Sequence, residues 1–145
     1  MIDYAAILAD QQPVDPIVTG TTEGIRQLLL AAGHTPVILG HPIAETPDSF
    51  TGLVPYPVED SLHGDVILGV QVRIRGTKNG GAKPVLDRSE AILTVLQQLA
   101  DTEIADGITV VVCWRNSSTP IVFDSVGRPE IFDSYYLRLD RPAFL

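Results

Sequence analysis

VILGVQVRIRG, from Val66 to Gly76, is the stretch that decides how this chain is read. From Gly69 onward, Val70, Val72 and Ile74 alternate with Gln71, Arg73 and Arg75, the period of a β-strand. One face of that strand is apolar and belongs to a core. The other carries an amide and two guanidinium groups in line, although the chain as a whole is acidic. The question is what those arginines face.

Reading outward towards the C-terminus, Thr77–Pro84 (TKNGGAKP) is a flexible polar loop with two glycines and two lysines. A helix follows over Asp87–Ala100. Asp87 and Glu90 form a capping-box-like start, and Ala91, Ile92, Val95, Leu96 and Leu99 supply its apolar stripe. Gly107 precedes Ile108–Trp114, a β-branched run that reads as a strand buried on both faces. Ser117–Pro120 turns into Ile121–Phe123, and Asp124–Pro129 is a second turn. The last strand spans about Glu130–Leu139, with Tyr135, Leu137 and Leu139 on one face and Ser134, Tyr136 and Arg138 on the other.

Towards the N-terminus, Pro36, Pro42, Pro47, Pro55 and Pro57 punctuate the chain, leaving short strands at about Val37–Leu39 and Phe50–Tyr56. Proline in such runs predicts edge strands or bulges. A helix is expected from Thr21 or Thr22 to Gly33, with Ile25, Leu28, Leu29 and Ala32 on one side. Gln11–Gly20 reads as a connector, and a first short helix occupies about Asp3–Ala9. The order is helix, helix, strands, helix, strands. It predicts a single α+β domain over residues 1–145, with a mixed or antiparallel sheet and helices packed on one side.

A chain of 145 residues with 45% hydrophobic and 19% charged residues suits one compact domain. Its net charge of −8 is unevenly placed. Met1–Asp65 holds nine acids and one base, whereas Val66–Leu145 holds nine of each. Such a chain offers no general reason to hold nucleic acid, which needs a basic surface. The single cysteine, Cys113, excludes an internal disulfide and reads as a buried thiol. No secretion signal or bilayer-length apolar run is present, so the Asn116-Ser117-Ser118 sequon carries no weight.

Residues for chemistry do not converge. His34, His41 and His63 lie in loops without partners at metal-ligand spacing. Glu59 and Asp60 are neighbours on extended chain and point apart. The Gly80–Gly81 pair between Lys78 and Lys83 lacks the spacing of a phosphate loop. No catalytic, cofactor or metal residue is assigned. What remains is an unusual surface: Gln71, Arg73 and Arg75 on one strand, Tyr136 and Arg138 on another. Arg and Tyr are enriched where proteins touch. The alternative is that the arginines pair with acids on a neighbouring strand of their own sheet. Periodicity leaves both readings open.

PDSFTGLVPYPVEDS (Pro47–Ser61), followed by GVQVRIRG (Gly69–Gly76), the helix Asp87–Ala100 and GRPEIFDSYYLRLDRP (Gly127–Pro142), resembles a family of phage minor capsid proteins similar to the tail terminators of long-tailed phages. The likeness runs from Pro47 to the C-terminus; residues 1–46 agree with the family only in general character, a short helix, a connector and acidity, and Gln11–Gly20 interrupts the family's usual first helix. It implies a subunit of a homo-hexameric ring that caps the tail tube, ends its polymerisation and offers a surface to head-completion proteins. It also implies a place at the head-proximal end of the virion tail, assembly in the host cytoplasm, DNA passing through the lumen, and neither catalysis nor cofactor nor membrane.

A closed ring needs two different complementary faces on each subunit. Arg73 and Arg75 are expected to meet acids of the neighbour, so that replacing both by glutamate abolishes the ring and spares the fold. The loop Lys78, Asn79, Gly80, Gly81 and Lys83 is expected to contact the tube or a neighbour. A neck or head-completion protein is the alternative within this class, and a small enzyme or ligand-binding domain the alternative outside it.

Overall fold

The computed structural model describes residues 16–40, 47–60 and 66–140. The expected helix Asp3–Ala9, His41 and His63 lie outside them. Helix α1 spans Ile17–Ala31. It starts earlier than the threonines suggest, because Pro16 stands at its entrance with φ already near the helical value and no N–H to lose. Thr21 and Thr22 therefore lie inside the helix, both buried, and the Thr22 hydroxyl donates back to the Val18 carbonyl at 2.6 Å. The expected end holds. Gly33 adopts φ +93°, its N–H bonds Leu30 O, and the His34 N–H bonds Leu29 O, both at 3.0 Å. That pair of bonds satisfies the last carbonyls through a left-handed residue that only glycine adopts without strain.

The strands are β1 (Val37–Leu39), β2 (Phe50–Asp60), β3 (Val66–Arg75), β4 (Ala100–Ala105), β5 (Ile108–Ser118), β6 (Val122–Phe123) and β7 (Pro129–Asp140). They form one mixed sheet in the order β1-β2-β3-β7-β5-β4, with β6 beside β7. Among the described strands only the β1–β2 pair is parallel. Pro55 and Pro57 lie on β2 beyond the residues that pair with β1, so the proline-bearing half does form an edge.

Helix α2 spans Lys83–Leu96. It too begins earlier than expected, since Pro84 occupies the first turn. Asp87 is thus no cap but accepts from Lys83, one turn before it, at 2.5 Å. Val85, Ser89, Ile92 and Leu96 face the sheet, and Ala91 is exposed.

Strand β4 was not expected. Its sequence, ADTEIA, has one large apolar residue and no alternation, as an acidic edge strand allows. The signal for it was the turn: Ala105 pairs Ile108 across Asp106-Gly107, a two-residue hairpin dipeptide, with Gly107 at φ +75°.

Both described helices lie on one face of the sheet. Ile25 and Leu29 of α1 and Val85, Ile92 and Leu96 of α2 join Leu53, Leu68, Val70, Val72, Ile74, Tyr135, Leu137 and Leu139 in the core. Each such aliphatic side chain contributes about 1.5–3 kcal/mol by leaving water. The strand over Ile108–Trp114 is not buried on both faces, as its continuous β-branched run suggested. Its partners on the helix side are covered, but Val112 and Trp114 point to the face opposite the two described helices and are 41% and 37% exposed.

Candidate assembly surface

Pairing register brings the expected surface residues together. On β3, Gln71, Arg73 and Arg75 lie opposite Ser134, Phe132 and Glu130 of β7. Tyr136 pairs with Gly69 on one side and Trp114 on the other, while Arg138 pairs with Ile67 and Val112. Since residues directly paired share a sheet face, all five expected residues stand on the side away from the two described helices. So do Phe50, Tyr56, Phe132 and Trp114.

Aromatic rings order this face. Tyr136 is packed edge-to-face between Tyr56 and Trp114, with centroids 6.4 and 5.7 Å apart. Gly69 makes room for the arrangement. A Cβ there would come within 2.4 Å of the Tyr56 ring. Trp114 is the functional candidate that the sequence reading missed, and the alternation Val112, Trp114 against Cys113 was its signal.

The two arginines differ in role. Arg73 donates to both Glu130 carboxylate oxygens at 3.2 and 3.3 Å and lies 5.0 Å from the Phe132 ring centroid. Arg75 is only 6% exposed. Its guanidinium donates to the Asp48 and Pro47 carbonyls at 2.8 and 3.1 Å and stacks over Phe50 at 4.5 Å. Burial, aided by Arg128, lowers its pKa. Both arginines therefore have partners in their own chain. The double glutamate replacement would set a second carboxylate beside Glu130 and leave the Asp48 and Pro47 carbonyls without their donor, and so strike the fold, contrary to the expectation that it would leave the monomer intact.

A second network ties down the end of the sheet. Arg128 bridges Asp124 at 2.7 Å and Asp48 at 3.0 Å. The Arg128 and Val126 backbone N–H groups also donate to Asp124. These bonds, led by the Arg128 backbone N–H, hold the Asp124 carboxyl down at about 2. The loop after β3 approaches this turn, for a Cβ on Gly127 would lie 3.9 Å from Asn79 Oδ1. Lys78, Asn79, Gly80 and Gly81 remain in that loop, where Asn79 and Gly81 have positive φ and Gly80 N–H closes a turn onto Thr77 O. Lys83 does not, having joined α2.

Among the described residues, none on this face is arranged for acid–base or nucleophilic work. Cys113 points to the core, and burial pushes its thiol up to about 12. The Asp133 carboxylate is fully buried on the helix side, where it accepts from Ser89 at 2.5 Å and from Ser118. No base accompanies them. His34 is half-buried, and burial followed by the nearby Arg88 charge lowers its pKa. Among the described residues no group of His, Cys, Asp and Glu could hold a metal ion, and no helix is long and apolar enough to cross a membrane.

Comparison with known proteins yields a fold. No family model matches the chain, and no curated protein matches it. Among solved structures, the chain is similar to one from the virion of a native gene transfer agent particle. The two share 15% identity and a TM-score of 0.61, over 84% of this chain and 92% of that one. They have the same fold.

Proposed function

We propose that this chain is a structural protein of a phage-like virion that acts by assembly rather than by catalysis, and that it is a tail terminator. The observation that carries the reading is the sheet face opposite the two described helices, where Trp114, Tyr136 and Arg138 reach solvent on an acidic chain. It occurs in a fold shared with a chain of a gene transfer agent virion. A surface of Trp, Tyr and Arg is suited to protein contact, since each offers a large area with a directional polar group. In this reading the whole chain is one tail-terminator-like domain. Gln71, Tyr136 and Arg138 contact a neighbouring subunit in a hexameric ring, on a face that Arg73 and Arg75 help to build. The loop with Lys78, Asn79, Gly80 and Gly81 meets the tail tube or a neighbour, head-completion proteins dock on the opposite rim, and DNA passes through the lumen without specific binding.

The test is genetic and structural. Particles made without this chain should show tubes of uncontrolled length that fail to join heads. Normal tails and normal joining in its absence would refute the reading.

A further inference from the structure

Independently of the ring reading, we infer that Asn79–Gly80 is a site of self-modification, where the chain converts its own asparagine to aspartate and isoaspartate with water as the only co-reactant. The site lies in the loop between β3 and α2. Thr77, Lys78, Asn79, Gly80 and Gly81 are all exposed. The Gly80 N–H bonds Thr77 O at 3.0 Å, which closes a turn whose third residue, Asn79, has φ +63°. That place in a turn requires a positive φ and so favours glycine or asparagine.

This turn holds both reactants. Asn79 carries a side-chain amide carbon, Cγ, and the main-chain nitrogen that follows belongs to the residue type with no Cβ to shield it. Gly80 is bare for a reason of space, because a Cβ there would meet Thr77 Oγ1 at 2.3 Å. The Gly80 nitrogen adds to Asn79 Cγ, the Cγ–Nδ2 bond breaks, and ammonia leaves with the proton of the Gly80 N–H. A succinimide ring remains, and water opens it. Addition at the side-chain carbonyl gives aspartate. Addition at the main-chain carbonyl gives isoaspartate, in which the backbone runs on through the side chain. Nothing is oxidised or reduced. Each event consumes one water, releases one ammonia and leaves a carboxylate that is ionised at neutral pH.

The fold sets the rate. In the closed turn the Gly80 N–H faces Thr77 O, so its nitrogen reaches Cγ only when that bond opens. Solvent-exposed backbone bonds in loops open at little cost. The chain's other asparagine gives the contrast. Asn116 lies in β5, which pairs along β7, and the nitrogen after it belongs to Ser117, whose side chain crowds it. At Asn79 the new carboxylate would stand beside the turn that Arg128 ties to Asp124, since a Cβ on Gly127 would lie 3.9 Å from Asn79 Oδ1.

The experiment ages full-length wild type, Gly80→Ala and Asn79→Gln at physiological temperature and neutral pH, beside a wild-type sample unfolded in guanidinium chloride. Intact mass, and peptide mapping that separates aspartate from isoaspartate, are followed over weeks. Folded wild type should gain about one dalton per chain at Asn79, as both products, while Asn116 stays unchanged. The unfolded sample should convert faster, because no turn holds the nitrogen away. Gly80→Ala should slow conversion severalfold, since a methyl group shields the nitrogen. Asn79→Gln should all but stop it, since the longer side chain closes only a less favourable ring. That variant leaves Gly80 in place and carries the test should Gly80→Ala disturb the turn. Folded wild type that keeps its mass while the unfolded sample converts completely overturns the proposal. So does conversion of Asn116 as fast as Asn79. A product that is aspartate without isoaspartate also overturns it, because direct hydrolysis would then replace the attack by Gly80.

Discussion

Arg73 shows how a single residue joins fold and surface. Its guanidinium is partly exposed, yet its partner Glu130 is nearly buried. Replacing Arg73 by alanine leaves that carboxylate without its cation, and should cost about 2–3 kcal/mol in urea unfolding. Asp124 provides a pH-dependent case. Its folded pKa of about 2 lies below the unfolded value of about 3.9, so the stability it adds is complete above about pH 4. That stability is lost as pH falls through about 2. Wild type and Asp124→Asn should therefore differ most in urea midpoint above pH 4 and converge towards pH 2. Cys113 should behave oppositely to a reactive thiol. Burial keeps it protonated, so a colourimetric thiol reagent should label it at neutral pH only as fast as the chain unfolds.

At the scale of elements, two contacts set where the helices sit. Helix α1 meets β4 backbone to backbone through Gly24, and any side chain there must push the strand away because the obstructing atom is the Ile104 carbonyl oxygen. Gly24→Ala should lower stability by about 1–3 kcal/mol despite the better helix propensity of alanine, read from the shift of the thermal midpoint. Helix α2 is pinned to β7 by the Ser89–Asp133 hydrogen bond. Ser89→Ala removes a donor from a buried carboxylate and should cost about 1.5–3 kcal/mol. Neither contact was legible beforehand. Gly24 reads as a helix-weakening residue until the strand beneath it is known, and Asp133 sits in an alternating strand at a position where its neighbours are apolar.

For the whole molecule, charge and sheet topology act together. Salt should weaken any ring held by charged contacts between subunits, because partly exposed charges are screened over about 8–10 Å at physiological ionic strength. Native spectra at rising ammonium acetate should show hexamer giving way to monomer. Rings indifferent to salt would assign the contact to the aromatic residues alone.

Local pattern was enough to determine the strand Val66–Arg75, the strand ending in Leu137 and Leu139, the glycine stop of α1, and the placing of Gln71, Arg73, Arg75, Tyr136 and Arg138 away from the apolar face. A two-residue period fixes the side of a strand on which each side chain lies, whatever the strand packs against. Tertiary structure decided the rest. Which strands neighbour one another depends on long-range pairing, and that pairing gave Arg73 to Glu130, buried Arg75 against Phe50, and set Tyr136 between Tyr56 and Trp114. It also decided that both described helices pack on the same side of the sheet, so that part of the other face reaches solvent. That is why Trp114, within an apolar run that reads as core, reaches the surface.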